Sequence, residues 1–287
     1  MSYFEANWCS LNWTPWISFT ATKAKWKLIP NETGVYRVKP SGTSIIAYIG
    51  ETGRELKDRL SSLRRGVMAD LMPYNDPHTA APNLWAWRQE QHWDYECSTA
   101  VFKKSKAERK AIECFLLWKY RLERGESTLC NYGRFHKNYK KSTNRSRRRR
   151  GVRLLEPQVN SFWGPSYPPL RLQGEPSDEG WMGIRWSETV PLSLEASGQV
   201  PNAPALYKIS RPERSGLKYI GETLRLRSRF RQHCRTFNNS KLLFSFSKQS
   251  ASIREYQLRE LETDLIGAYY YQTSRAPKNQ FLNMTKW

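Results

Sequence analysis

The pentapeptide Tyr48-Ile49-Gly50-Glu51-Thr52 returns letter for letter at Tyr219-Ile220-Gly221-Glu222-Thr223. Self-similarity at a fixed offset constrains a fold more than any local propensity, because each copy must build the same unit. A second block repeats at the same offset of 171: Pro30-Asn31-Glu32-Thr33-Gly34-Val35-Tyr36 precedes the first pentapeptide, and Pro201-Asn202-Ala203-Pro204-Ala205-Leu206-Tyr207 precedes the second. Tyr36 and Tyr48 are 12 positions apart, as are Tyr207 and Tyr219. Each block pair reads as a hairpin. Gly34–Val38 and Ile45–Ile49 flank a Pro/Ser/Gly turn, as do Leu206–Ile209 and Lys218–Ile220. Both second strands are expected to end at their Gly, in a tight turn.

Helices follow in both copies. Leu56, Leu60 and Leu63 recur at helical spacing after Glu55, and Leu226 and Phe230 do so in the second copy. Further on, Ser105-Lys106-Ala107-Glu108 and Ser252-Ile253-Arg254-Glu255 read as capping boxes opening two apolar helices. Strands are expected at Asp94–Phe102 and Leu242–Phe246. Glu262 sits between Leu258 and Leu265 on the apolar stripe, and Glu113 beside Ile112 and before Leu116. A carboxylate on a core-facing stripe needs a partner such as a metal ion or an Arg. A partly exposed Glu at the stripe edge is the plainer alternative, weakened by its recurrence. The fold class is therefore α+β: two tandem small domains, each a three-stranded antiparallel sheet flanked by helices.

Gly34-Val35-Tyr36 followed by Tyr48-Ile49-Gly50 resembles the defining motif pair of the GIY-YIG nuclease family. The second copy is similar but has Ala205 for the first Gly. The family pattern continues with an Arg, a Glu and an Asn, here Arg59, Glu113 and Asn131, then Arg229, Glu262 and Asn279. Many members carry a His four residues after the Arg; His233 fits, whereas the first copy has Leu63. The resemblance implies that one tyrosine of each pair is the general base. It also implies that Arg59 and Arg229 contact the scissile phosphate, that Glu113 and Glu262 hold a metal, and that Asn131 and Asn279 support the site. His233 is then a base or phosphate ligand in the second copy alone. Packing within the sheet is the commoner fate of strand tyrosines, and two matched sets argue against it here.

The residue types suit that chemistry. A Glu is a hard oxygen ligand that holds Mg²⁺ (or Mn²⁺) with water and substrate phosphate completing the shell. An Arg clamps phosphate bidentately. A Tyr accepts a proton if neighbouring cations lower its pKa from about 10.

Charge supplies the partner class. Lys and Arg total 47 against 26 acids in 287 residues, a net charge of +21. Such an imbalance points to a polyanion, above all nucleic acid. No apolar run suits a membrane span and no leader peptide is recognisable at the N-terminus. Cys9, Cys97, Cys114, Cys130 and Cys234 lack CxxC spacing, which suits reduced thiols in the cytoplasm rather than zinc or disulfides.

The expected organisation is residues 1–136 as the first domain, 137–185 as a basic arm and Pro-rich linker, and 186–287 as the second domain. The lead-in carries Trp8, Trp13, Trp16 and Trp26, read as packing on the first domain rather than stacking on bases. A long insertion near 68–93 either reaches DNA through His78, Asn83 and Arg88 or forms a structural flap. Residues 134–153 hold ten Lys or Arg and no acid, ending near Arg147-Arg148-Arg149-Arg150, and read as a mobile phosphate-tracking arm.

A duplex has antiparallel strands, so a double-strand cut takes two similar sites. The expected function is a Mg-dependent endonuclease on double-stranded DNA, similar to type II restriction enzymes, with one site per strand in a single chain acting as a monomer. Three other readings stay open: a structure- or modification-directed nuclease of repair or mobile elements, a non-enzymatic nucleic-acid-binding protein, and action on RNA.

Overall fold

The structure is a computed structural model that describes residues 2–212, 216–237 and 241–281. It divides into two units. One comprises Met1–Ser105 and Ser127–Ser166, the other Lys106–Glu126 and Tyr167–Trp287.

The first unit runs β1 (Ile17–Ser18), α1 (Lys23–Trp26), β2 (Gly34–Pro40), β3 (Tyr48–Thr52), α2 (Leu56–Val67), α3 (Ala81–Gln91) and β4 (Tyr95–Val101). Its sheet has the order β1-β4-β2-β3 and is antiparallel at every pairing. The second unit opens with α4 (Lys106–Arg124) and continues β5 (Val190–Pro191), β6 (Ala205–Ser210), β7 (Leu217–Thr223), α5 (Leu226–Thr236), β8 (Leu243–Lys248) and α6 (Glu255–Thr273). Its sheet order is β5-β8-β6-β7, the same topology again. Glu213-Arg214-Ser215 of the second hairpin's turn lie outside the described residues. Among the described residues no helix is long and apolar enough to cross a membrane.

The sheets have four strands, not the expected three. The extra strand comes each time from an aromatic segment that precedes the hairpin. Trp8 and Trp13 open the first unit, and Trp181 and Trp186, with the same spacing, stand in the second. Each first Trp starts a 3₁₀ turn whose next residue is left-handed, Cys9 (φ 55°) or Met182 (φ 62°). Each second Trp donates its indole N–H to the first Trp's carbonyl, at 3.0 and 3.1 Å. Four residues later comes β1 or β5, paired on β4 or β8.

These Trp pairs cover a buried cation. Arg37 lies over Trp13 (4.2 Å) and Trp16 (4.7 Å), and its guanidinium donates to the carbonyls of Tyr3, Phe4 and Glu5. Lys208 lies over Trp186 (4.7 Å) and Trp181 (5.7 Å) and donates to the carbonyls of Pro176 and Asp178. A cation on an aromatic face whose charged end donates to several carbonyls is a structural group. Strand alternation then sends the preceding residues, Tyr36 and Tyr207, to the opposite face.

The domain boundaries differ from those expected. Residues 137–166 belong to the first unit rather than to a linker, and 167–185 to the second. Helix α4 also belongs to the second unit, where it crosses α6 closely. A Cβ on Gly267 would stand 2.7 Å from the Cys114 carbonyl oxygen, so only Gly permits the approach. Fully buried Arg121 of α4 pairs bidentately with Asp264 of α6 at 2.8 and 3.1 Å. The capping-box reading places α4 correctly after Ser105. In α6 the cap is Arg254, not Ser252, and Gln257 reaches back to the Arg254 amide at 3.0 Å.

The basic run is folded rather than a free arm. Backbone bonds Lys140 to Val152 and Thr143 to Arg149 (both 2.9 Å) close it into a hairpin-like loop. The Arg145 amide donates to Asp76, and Arg150 donates to the Met72 carbonyl at 2.6 Å. Arg147, Arg148, Arg149 and Arg150 remain exposed at its tip.

Candidate active site

The second set assembles within one unit. Tyr207 on β6 pairs with Gly221 on β7, and Tyr219 lies two residues earlier on the same face. Gly221 lies inside the strand, not at its end as expected, and Gly50 does likewise in β3. What selects glycine is space: a Cβ at Gly221 would stand 2.3 Å from Cζ and Oη of Tyr207 and 2.8 Å from Tyr219 Cε1. The two rings stack over that gap with centroids 6.0 Å apart.

Helix α5 brings His233 onto both rings, at 5.3 and 5.2 Å between centroids. His233 Nε2 is 2.9 Å from Tyr207 Oη. Burial and the charge of Arg229 pull the imidazole down to about 4, so it is neutral at pH 7 and can accept the phenol proton. Arg229, half-buried one turn earlier, bonds only to its helix neighbour Gln232 among the hydrogen bonds described (2.7 Å), leaving other donors of the guanidinium for an anion.

Helix α6 packs across β7 and places Glu262 at the same edge. Burial, then the Glu222 carboxylate, push Glu262 up to about 8, against the pull of Arg259, Arg229 and a hydrogen bond from the Glu222 backbone. Burial also raises Glu222. Tyr207 is held well above its ordinary value, by burial and then by Tyr219. Tyr219 is pushed up to about 12, by burial and then by Glu262. Arg229 pulls both phenols down, but desolvation outweighs it, and neither ring is a phenolate at neutral pH. Burial is the main cause of all four shifts, with Arg229 and Arg259 opposing it. Among the described residues no group of three or more His, Cys, Asp or Glu is placed to hold a metal. Glu262, with Glu222 beside it, is a hard oxygen donor of the type that a divalent cation takes together with water and phosphate.

The edge strand is closed by an amide. Gln280 Oε1 accepts from the Ile220 amide and its Nε2 donates to the Ile220 carbonyl, both at 3.0 Å. Asn131 does the same for Ile49 in the first unit, at 3.1 and 2.8 Å. Asn279 was the expected counterpart; its backbone amide bonds Lys218 (2.8 Å), and the longer Gln280 performs the role one residue later. A search by residue type passes over it, whereas the unpaired edge N–H and C=O of each motif isoleucine point to it.

The first set is the same core with different furniture. Tyr36 pairs with Gly50, where a Cβ would meet Tyr36 Cζ and Tyr48 Cε1 at 2.7 Å, and the rings lie 5.9 Å apart. Here Arg59 takes the phenol: its Nε donates to Tyr36 Oη at 3.3 Å and its Nη1 to the Pro77 carbonyl at 3.0 Å. Tyr36, Tyr48, Arg59 and Asn131 belong to the first unit; Glu113 stands half-buried on α4, an element of the second.

The insertion is packed into the first unit, with Asn83 and His78 buried and Arg88 half-buried. Asn83, 1 % exposed, spends its amide on the Leu129 and Arg134 carbonyls and the His136 amide, tying α3 to the chain after Asn131. His78 is 5 % exposed. Arg88 is half-buried with its Nε shut away from water. Compared with family models, curated proteins and solved structures, the chain finds no match.

Proposed function

We propose that the chain is a Mg²⁺- (or Mn²⁺-) dependent endonuclease that hydrolyses phosphodiester bonds of double-stranded DNA at a defined sequence. It carries one site per strand and acts as a monomer. The observation that carries this reading is the convergence of Tyr207, Tyr219, His233, Arg229 and Glu262 on one edge of the second sheet. The tyrosine–glycine–arginine core recurs in the first unit, and the net charge of +21 suits a polyanionic substrate.

Glu262 would hold the metal, which when bound supplies Lewis-acid relief of the phosphate charge. Arg229 clamps the scissile phosphate through its remaining donors. The phenols stay protonated, so the proton moves through a relay: Tyr207 takes the proton of the attacking water while passing its own to His233 Nε2. The water oxygen bonds to phosphorus, the bond to the leaving oxygen breaks, and that oxygen takes a proton from solvent. Gln280 holds β7 straight and touches no reacting atom.

The test is digestion of a long unmodified phage DNA with Mg²⁺ and with EDTA. Discrete metal-dependent fragments support the reading. A smear, or cutting confined to branched DNA, replaces sequence specificity with a structure-directed activity. A shifted band without cutting leaves a binding protein or a nuclease that needs modified DNA.

A further inference from the structure

We propose that His78, delivered by the insertion, is the functional imidazole of the first site, in place of the histidine that α2 lacks. The inference rests on the nuclease reading. In α5 the imidazole follows the phosphate-binding arginine by four residues; in α2 that position is Leu63, 1 % exposed in the core. The first tyrosine therefore has no histidine on its own helix. Its phenol is met by Arg59 Nε at 3.3 Å, and the far side of the same guanidinium donates to the Pro77 carbonyl at 3.0 Å. One guanidinium thus bridges Tyr36 to the residue that precedes His78.

His78 is not spent on structure. Its ring is buried, yet Nδ1 has no hydrogen-bond partner. A buried imidazole that serves the fold has its nitrogens satisfied, because an orphaned one costs stability. The charges that act on it are those of Arg59 and Arg54, which together with burial pull it down to about 3 and keep it neutral. A neutral imidazole beside the phosphate-binding arginine is a proton acceptor awaiting substrate. It takes the proton of the attacking water as the new P–O bond forms and the bond to the leaving oxygen breaks; that oxygen is protonated by solvent. The insertion absent from the second copy is then explained by what it carries, since His233 already fills the need there.

The test uses the full-length chain on a short cleavable duplex with a different label on each strand. H78A is expected to cut one strand at the wild-type rate and the other about 10²–10⁴-fold more slowly. H233A is expected to slow the opposite strand. Free imidazole added to H78A is expected to restore the slow strand, a rescue that a structural role would not show. If H78A melts lower than wild type, H78N is read in the same way. Equal cutting of both strands by these variants, or equal slowing of both strands without imidazole rescue, overturns the inference. No cutting by the wild-type chain overturns the nuclease reading instead.

Discussion

At the scale of single residues, Glu262 is poised between a proton and a cation. Its carboxyl is pushed up to about 8, so under the proposed nuclease reading a metal binding there at pH 7 would displace a proton. Mg²⁺ affinity measured by calorimetry is expected to rise between pH 6 and 8 and then level off, with proton release below pH 8; E262Q removes both. Because the folded pKa lies above the unfolded value, the contribution of Glu262 to stability is complete below about 4.5 and is lost as pH rises through about 8. Without metal the melting temperature should fall between about pH 5 and 8 and then level off, and the fall should be smaller in E262Q. His233 has the opposite sign. Its folded pKa of about 4 lies below the unfolded value, so its contribution is present above about 6.5 and is lost as pH falls toward 4, by about 3 kcal/mol. Gly221 makes a steric claim at the site itself. G221A must move the Tyr207 ring, and should cost about 1–3 kcal/mol with loss of cutting at that site, read by melting and strand-resolved cleavage.

At the scale of elements, the edge strands β3 and β7 depend on one amide each. Q280A strips the Ile220 N–H and C=O of both partners and is expected to lower stability by about 1–3 kcal/mol, while slowing cleavage without altering its metal dependence. Much at this level was legible in the sequence. The repeated blocks gave both hairpins, both following helices and the third strands, because period and turn residues are local signals. The fourth strands were not legible: two-residue strands such as Ile17–Ser18 carry no period, and the matched Trp pairs differ in every residue between them. Gln280 escaped because its function is set by reach and not by residue type. The glycine positions were found, but the reason for them, a tyrosine crossing from the paired strand, exists only once the register Tyr207 to Gly221 is known.

At the scale of the molecule, charge and duplication are the two facts that matter. Four exposed arginines, Arg147 to Arg150, stand at the tip of a loop held by backbone pairs and by Asp76 and Met72. Replacing all four with Ala should weaken DNA binding at every sequence and reduce the salt slope of log K by about 3–4, because each neutralised phosphate releases a counterion. Helix α4 shows where sequence reading stops. Its cap and apolar stripe predicted a helix in the right place, but a stripe does not name its partner, and Gly267 and Asp264 of α6 supply it. The central claim is one cut per site and two sites per chain. It is tested most directly by E262Q on a supercoiled plasmid carrying one recognition site, with the nicked strand mapped. The account predicts that wild type gives linear product, whereas E262Q stops at the open circle with every nick in the same strand. Linear product from E262Q, or nicks shared equally between the strands, would contradict it.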